Sequence, residues 1–591
     1  MRQFFKFMFA SMLGFLITFV VILLIMTGII ASIASRTSRD TVDVAEKSVL
    51  HLTLTTEIVD RGGGNPFESF DFASFSPSRP IGLNNLLDNL EKAEADDNIE
   101  GIFLDMSMIP AGWSTIDELR KALKTFKESG KFIVAYGETY MQNAYYLSSV
   151  ADEIYLHPEG VIDFRGINSE LFFLKNMLDR LGIDPQVIRH GEYKSAGEPF
   201  FREDMSEENR EQVRSYVGAI WNNVLGDIAT SRGLTVNHLN EVADGLYTRN
   251  ATLALEWDMI DGIAYRDEIM DMFRERLELD ADDDDIEFVS YSDYKRAPIP
   301  ESLITPRSSN KLAMVYGSGN IISGQGGDRV IGSERIAGAI REARRDTTVK
   351  AIVFRINSPG GDALASDVIL REVVLASQEK PVVATMGDVA ASGGYYIASR
   401  ADWIMANPST ITGSIGVFGM IPNMQEFFDD KLGITFDNVK TNRFADMGSV
   451  TKPLSDEERE IIQESIGRIY ETFIEHVAEG RDIPVSAVDE LGRGRVWSGT
   501  EAKRNGLIDE FGGLEAAMEK AAELADIEDY RITEYPKRKD LFTQIMEDFG
   551  GIKENILKRN LGDHYRYYRQ IEEARDMTGI LTRMPYDIDL N

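Results

Sequence analysis

The chain repeats itself, and that duplication limits what it can fold into more than any other feature. Residues 137–166 and 387–416, an offset of 250, share nine of thirty positions, including Tyr145/Tyr395, Asp152/Asp402 and Pro158/Pro408. The same offset pairs Gly101-Ile-Phe-Leu104 with Ala351-Ile-Val-Phe354, and Met259-Ile-Asp261 matches Leu507-Ile-Asp509 near the end of each copy. Units at 47–267 and 311–528 follow, with 1–46 before them, 268–310 between them and 529–591 after them. The middle stretch carries Asp282 to Asp285 and then Pro298, Pro300 and Pro306, which reads as an acidic linker. Its aspartates lack the glycine and closing glutamate of a calcium loop, so a solvated charge run is expected.

Inside each copy short apolar runs alternate with helical patterns. Lys350-Ala-Ile-Val-Phe-Arg-Ile356 is a buried strand bounded by the turn Asn357-Ser-Pro-Gly-Gly361. A helical stretch runs to about Ser377, and Pro381-Val-Val-Ala-Thr385 is the next strand. Strands separated by helices pair in parallel through right-handed crossovers, so the fold class is α/β, given twice.

Composition narrows the function. The 591 residues contain 63 Lys and Arg against 97 Asp and Glu, a formal charge of −34. Such acidity repels phosphate backbones and disfavours nucleic acid as a partner. The absence of cysteine removes disulfides, thiolate zinc sites, iron–sulfur clusters and cysteine nucleophiles. From Phe7 to Ser35 run 29 residues without a charge. A membrane-spanning helix needs about 20 apolar residues, so this stretch is long enough. Basic residues flank it on both sides (Arg2 and Lys6, Arg36 and Arg39), and the short basic tail ahead of it favours an uncleaved anchor. Residues from about 40 onward are then expected outside the cytoplasm. A cleaved signal ending near Ala31-Ser-Ile-Ala34 is the alternative.

Ligands of α/β sheets gather at the carboxyl ends of strands. Two loops of the second copy qualify: Asn357-Ser-Pro-Gly-Gly361, and Asp388-Val-Ala-Ala-Ser-Gly-Gly394 leading into a helix. A small-residue turn entering a helix exposes amides that can hold an oxyanion. Ser392 in that turn is a candidate nucleophile, with donors from Gly393 and the Gly360/Gly361 turn. Tight packing of helix on sheet explains the same residues without chemistry. The first copy has Gln142 opposite Ser392, and Met108-Ile-Pro-Ala111 opposite Ser358-Pro-Gly-Gly361. It carries Lys194 where the second copy, aligned at an offset of 251, has Ala445. Complementary loss of this kind is what one shared site leaves behind. None of the six histidines sits in a triad-like loop. Lys194 can replace histidine only if burial lowers its pKa from about 10.4.

These motifs, Tyr193-Lys-Ser195, Asn357-Ser-Pro-Gly-Gly361, Ala391-Ser-Gly-Gly-Tyr395 and Thr412-Gly-Ser-Ile-Gly416, resemble the signal peptide peptidase A (protease IV) family in its long form. That family has an amino-terminal anchor followed by two Clp/crotonase-like repeats. The resemblance implies a serine endopeptidase with Ser392 as nucleophile, Lys194 as general base and Ser414 bonded to the lysine. It also implies oxyanion donors at the Gly361 and Gly393 amides, no cofactor and no metal. The implied substrates are signal-peptide remnants and other hydrophobic peptides; a homotetramer in the bacterial inner membrane, with its catalytic repeats on the periplasmic side, is expected. A crotonase-type acyl-CoA enzyme and a proteolytically silent membrane scaffold are the competing readings.

Overall fold

The structure is a computed structural model that describes residues 6–7, 9, 11–21, 24, 41–62, 70–71, 76–77, 80–279, 286–303, 308–537 and 579–584. Residues 11–21 are helical with their apolar side chains exposed, and most of the remaining Phe7–Ser35 stretch lies outside the described residues. Among the described residues no helix is long and apolar enough to cross a membrane. The aspartate run at 282–285 also lies outside them.

The first copy builds a six-stranded parallel sheet in the order Gly262–Ile263, Glu153–Leu156, Phe132–Gly137, Ile99–Asp105, Ser48–Leu52 and Phe288–Ser290. Its edge strand Phe288–Ser290 comes from the stretch between the copies, into which the helix Arg266–Arg276 also runs. The second copy builds an eight-stranded sheet around Lys311–Ser318, Val349–Ser358 and Val382–Ala391. The central strands are apolar almost without interruption, as strands covered on both faces must be: in Ile99–Asp105 only Glu100 is exposed. Arg531–Tyr535 pairs with Lys311–Ser318 at this sheet's edge.

The copies share a core. Helices Leu83–Ala95 and Trp113–Glu128 of the first copy bury Leu86, Leu90, Ile116 and Leu123 in one apolar cluster with Met314, Val353, Val383 and Leu514 of the second. A polar lock crosses the same contact. Arg355, without exposed surface, pairs through Nε with Asp60 at 2.7 Å and through Nη2 with Glu118 at 2.7 Å. Both carboxylates belong to the first copy.

A third sheet joins the copies. Its order is Val330–Gly332, Asn320–Ile322, Gly360–Asp362, Gly579–Arg583, Val417–Asn423 and Asp184–His190. Asp184–His190 of the first copy runs antiparallel to Val417–Asn423 of the second over seven residue pairs.

Two expected boundaries move. The strand expected at Pro381–Thr385 is Val382–Ala391, because Val389, Ala390 and Ala391 find partners in Ile411, Thr412 and Gly413. The expected loop at 388–394 thereby shrinks to Ser392 before the helix Gly393–Ala398. Likewise Asn357 and Ser358 stay in a strand, and Gly360, at φ +103°, turns the chain into the third sheet. A side chain is disfavoured at that φ, so glycine is required there.

Replacing Arg355 with alanine leaves Asp60 and Glu118 buried without their cation. Arg355→Ala is expected to lower unfolding free energy by about 3–5 kcal/mol, read by urea denaturation.

Candidate active site

Ser392 ends a strand and caps a helix, at φ +55° and ψ −115°. Few non-glycine residues adopt such a backbone; holding one there costs on the order of 1–3 kcal/mol and presents its side chain at the sheet's carboxyl edge. Its amide donates to the Gly413 carbonyl at 2.8 Å, which ties this turn to the Thr412–Gly416 loop. Ser414 in that loop is also held at positive φ, +50°, and its amide donates to Arg495 O at 2.7 Å.

Lys194 reaches this turn from the other copy. Its strand, Asp184–His190, delivers the chain to a turn at Gly191, and the lysine stem passes beside two glycines of the second copy. A Cβ on Gly416 would come within 3.1 Å of Lys194 Cδ, and one on Gly494 within 2.5 Å of Lys194 Cα. Nζ then lies 2.8 Å from Ser392 Oγ, 3.0 Å from Ser414 Oγ and 3.1 Å from the Ser414 carbonyl. Lys194, Ser392 and Ser414 have no exposed surface. Burial holds the lysine pKa well below its ordinary value. Removed from water and, among the described residues, without a carboxylate partner, the amine favours its neutral form.

The hydrogen-bond arithmetic gives that neutral amine a direction. The Ser414 hydroxyl donates to Gly494 O at 3.4 Å, so its oxygen accepts one lysine N–H, and the Ser414 carbonyl accepts the other. The remaining lone pair faces Ser392 Oγ, whose hydroxyl can donate to it. After proton transfer the same three oxygens satisfy the three N–H bonds of an ammonium.

Other side chains fix the lysine turn. Gln212, on the helix Glu207–Arg232, donates from Nε2 to Tyr193 O at 3.1 Å and Ser195 Oγ at 2.8 Å, while Oε1 accepts from Val496 N at 3.1 Å. Ser195 Oγ donates to Asn209 Oδ1 at 3.0 Å, and the Arg189 guanidinium donates to Lys194 O at 3.0 Å. Nothing in the sequence around Gln212 or Asn209 points to these contacts. Asp60 reaches the other loop: it accepts from Asn357 Nδ2 at 3.0 Å, and Asn357 Oδ1 accepts from Val389 N at 3.2 Å.

The corresponding place in the first copy is filled. Gln142 Oε1 accepts from the amides of Arg165 and Gly166 at 3.1 and 3.0 Å. Phe164, opposite Ser414, is packed against Tyr145 and Trp221. Ala445, opposite Lys194, lies in an exposed turn. Five histidines are described and none bonds to Ser392: His51 pairs with Asp105 at 2.9 Å and His190 stacks on Tyr470, while His564 is outside the described residues. Among the described residues no cluster of His, Asp and Glu could hold a metal ion.

A serine at a strained strand-to-helix turn, with an amine buried against it by a second copy of the same unit, defines a tandem-repeat serine peptidase. The sequence agrees: the peptidase family S49 model matches twice, at 125–280 and 375–528. The chain is 36% identical over 479 residues to Protease 4 of Salmonella typhi, covering 79% of this chain and 76% of that protein. It is 36% identical to Protease 4 of Haemophilus influenzae (76% and 74% covered) and 34% to the chloroplastic serine protease SPPA of Arabidopsis thaliana (76% and 66%). The chain belongs to peptidase family S49, in its tandem-domain form.

The buried amine makes stability depend on pH. An unfolded lysine holds its proton up to about pH 10.4, whereas the folded Lys194 gives it up at lower pH, so between those two values wild-type stability falls as pH falls. Lys194→Met removes this dependence. Thermal unfolding compared from pH 10 down to pH 7 is expected to shift in the variant's favour by about 1.4 kcal/mol per pH unit inside that window.

Proposed function

We propose that the protein is a membrane-anchored serine endopeptidase in which Ser392 is the nucleophile and Lys194 the general base. The observation that carries this reading is the 2.8 Å contact between a buried lysine and a buried serine supplied by different repeats. Neutral Lys194 accepts the Ser392 proton as Oγ attacks a peptide carbonyl. The Gly361 and Gly393 amides hold the tetrahedral oxyanion. The lysine ammonium then protonates the leaving amine, and water hydrolyses the acyl-enzyme by the same route. Ser414 orients the lysine by accepting two of its N–H bonds. No cofactor or metal takes part in this route.

Signal-peptide remnants and other hydrophobic peptides are the proposed substrates. The apolar character beside the dyad supports this: Ala196, Phe200, Phe418 and Met420, all buried, form one cluster at the lysine turn. An extended peptide would pair with sheet edges and place its alternate side chains against apolar residues of this kind. The uncharged stretch Phe7–Ser35 supports an anchor in a bacterial inner membrane, with units 47–267 and 311–528 on the periplasmic side. Exposed Leu432, Ile434, Phe436, Phe444 and Met447 on one segment of the second copy support assembly, which we take to be a homotetramer.

Hydrolysis of a fluorogenic hydrophobic peptide between pH 6 and 10 tests the reading. Ser392→Ala and Lys194→Ala are each expected to lower kcat by about 10³-fold or more while folding normally. Gln142→Ala is expected to leave kcat unchanged. Full activity in either dyad variant would refute the mechanism, and the acid limb of the wild-type profile reports the pKa of the base.

A further inference from the structure

The two turns that carry the proposed oxyanion donors stand at the starts of two helices, and those starts touch. A Cβ on Gly360 would come within 2.8 Å of Gly393 N, and one on Gly393 within 2.8 Å of Ser366 Oγ. Gly360-Gly361 leads into the helix Ala363–Ser377, capped by Asp362, whose carboxylate accepts from Ala365 N at 2.6 Å. Gly393 opens the helix Gly393–Ala398. Beyond these small residues a side-chain bond joins the two helices: Tyr396 Oη donates to Asp367 Oδ1 at 2.9 Å. Tyr396 is itself tied to the candidate nucleophile, since its amide donates to the Ser392 carbonyl at 2.8 Å. Its ring is buried against Phe473 of the helix Asp456–Arg481, with ring centres 4.7 Å apart. From that helix His476 Nε2 approaches Asp367 Oδ1 at 3.8 Å. His476, together with the Tyr396 bond, holds the Asp367 pKa below its ordinary value, which keeps this group an acceptor.

The first copy carries the same clamp. Tyr146 Oη, on the helix Gln142–Ser148, lies 2.8 Å from Asp117 Oδ1 on the helix Trp113–Glu128. It lies 2.6 Å from Asp227 Oδ2 on the helix Glu207–Arg232, at the position where the second copy has His476. Two tyrosines at matching positions therefore join matching helices. One helix follows Ser392, and the other begins at Gln142, where the serine is replaced. The twin separates what such a bond does for the fold from what it does for chemistry.

We infer that Tyr396 and Asp367 are positioning residues for acyl transfer: their bond fixes the spacing of the Gly361 and Gly393 amides, and so the fit of the hole to a tetrahedral oxyanion. Neither side chain touches the reacting atoms. An oxyanion donor stabilises charge only where that charge develops, so a displaced helix start lowers kcat and leaves binding of the ground state alone. The inference deepens the proposed mechanism and rests on its two oxyanion donors.

The test measures kcat and KM of the full chain with a fluorogenic hydrophobic peptide. Sites are counted by titration with a serine-reactive fluorophosphonate, so misfolded chain does not enter kcat. Tyr396→Phe is expected to lower kcat about tenfold, equivalent to about 1.4 kcal/mol of transition-state stabilisation, with KM within about twofold of wild type. Tyr146→Phe removes the twin bond and is expected to keep kcat within about twofold. Asp367→Ala is expected to match Tyr396→Phe, whereas Asp367→Asn keeps an acceptor oxygen and is expected to hold kcat within about threefold of wild type. A kcat loss common to both tyrosine variants, or absent from Tyr396→Phe, overturns the inference. A peptide aldehyde supplies a second readout. Ser392 Oγ adds to its carbonyl carbon as the serine proton passes to Lys194, and the carbonyl oxygen takes the electron pair at the oxyanion position. Its inhibition constant is expected to rise about tenfold in Tyr396→Phe, in step with kcat, and an unchanged constant overturns the positioning role. Ser392→Ala keeps the two failures apart. If that variant turns over peptide normally, the nucleophile and this inference fall together; an inactive Ser392→Ala beside a fully active Tyr396→Phe overturns the inference alone.

Discussion

Everything at the site depends on keeping one lysine dry. An amine in water at neutral pH is protonated in all but roughly a few of ten thousand molecules, and an ammonium has no lone pair to accept a proton. Lys194 escapes this because its stem runs beside Gly416 and Gly494 and, among the described residues, its Nζ bonds only to seryl oxygens and pairs with no carboxylate. Neither repeat can supply that environment alone. The lysine arrives on a strand of the first copy, and the oxygens bonded to its Nζ belong to the second. The contact between copies is thus part of the proposed chemistry, and loosening it would rehydrate and protonate the lysine.

This explains why the contact is so heavily tied. Arg355 crosses it without exposed surface, held by Asp60 and Glu118, and Asp60 continues to Asn357 in the turn that carries Gly360 and Gly361. Asp388, half-buried and with its pKa raised by desolvation, accepts two bonds from Thr115 of the first copy. Gln212 links the lysine turn to Val496. A buried ion pair is poor evidence of stability taken by itself, but it fixes one arrangement because any other leaves a charge unpaired. In this peptidase that specificity holds the lysine and the serine in register across two units.

Duplication followed by division of labour accounts for the asymmetry. In the proposed mechanism the first copy lends its lysine to the second, and its own position opposite Ser392 holds Gln142, bonded to the backbone of Arg165 and Gly166. Conversely the stretch of the second copy around Ala445 forms no strand and is exposed. The strand exchange between copies runs in one direction only among the described residues, from Asp184–His190 to Val417–Asn423.

The repeat, the α/β class and the candidacy of Ser392 and Lys194 are legible in the sequence because each leaves a local or periodic trace: matched residues at a fixed offset, apolar strand runs, a small-residue turn. The loops at 388–394 and 357–361 are shorter than the pattern suggests, since whether Val389–Ala391 continues a strand depends on a partner, Ile411–Gly413, that pattern alone does not reveal. Gln212, Asn209 and Asp60 leave no trace at all; each is an ordinary polar residue whose importance comes from what folding brings beside it. So too with Gly579–Arg583, a segment without any signal until two distant strand edges are set one strand apart. Residue order was enough to say which units form and which groups are chemically suited to act. That a lysine and a serine 198 residues apart share one dry site came from the packing of one unit on the other, because burial and electrostatics depend on distances in space and not along the chain.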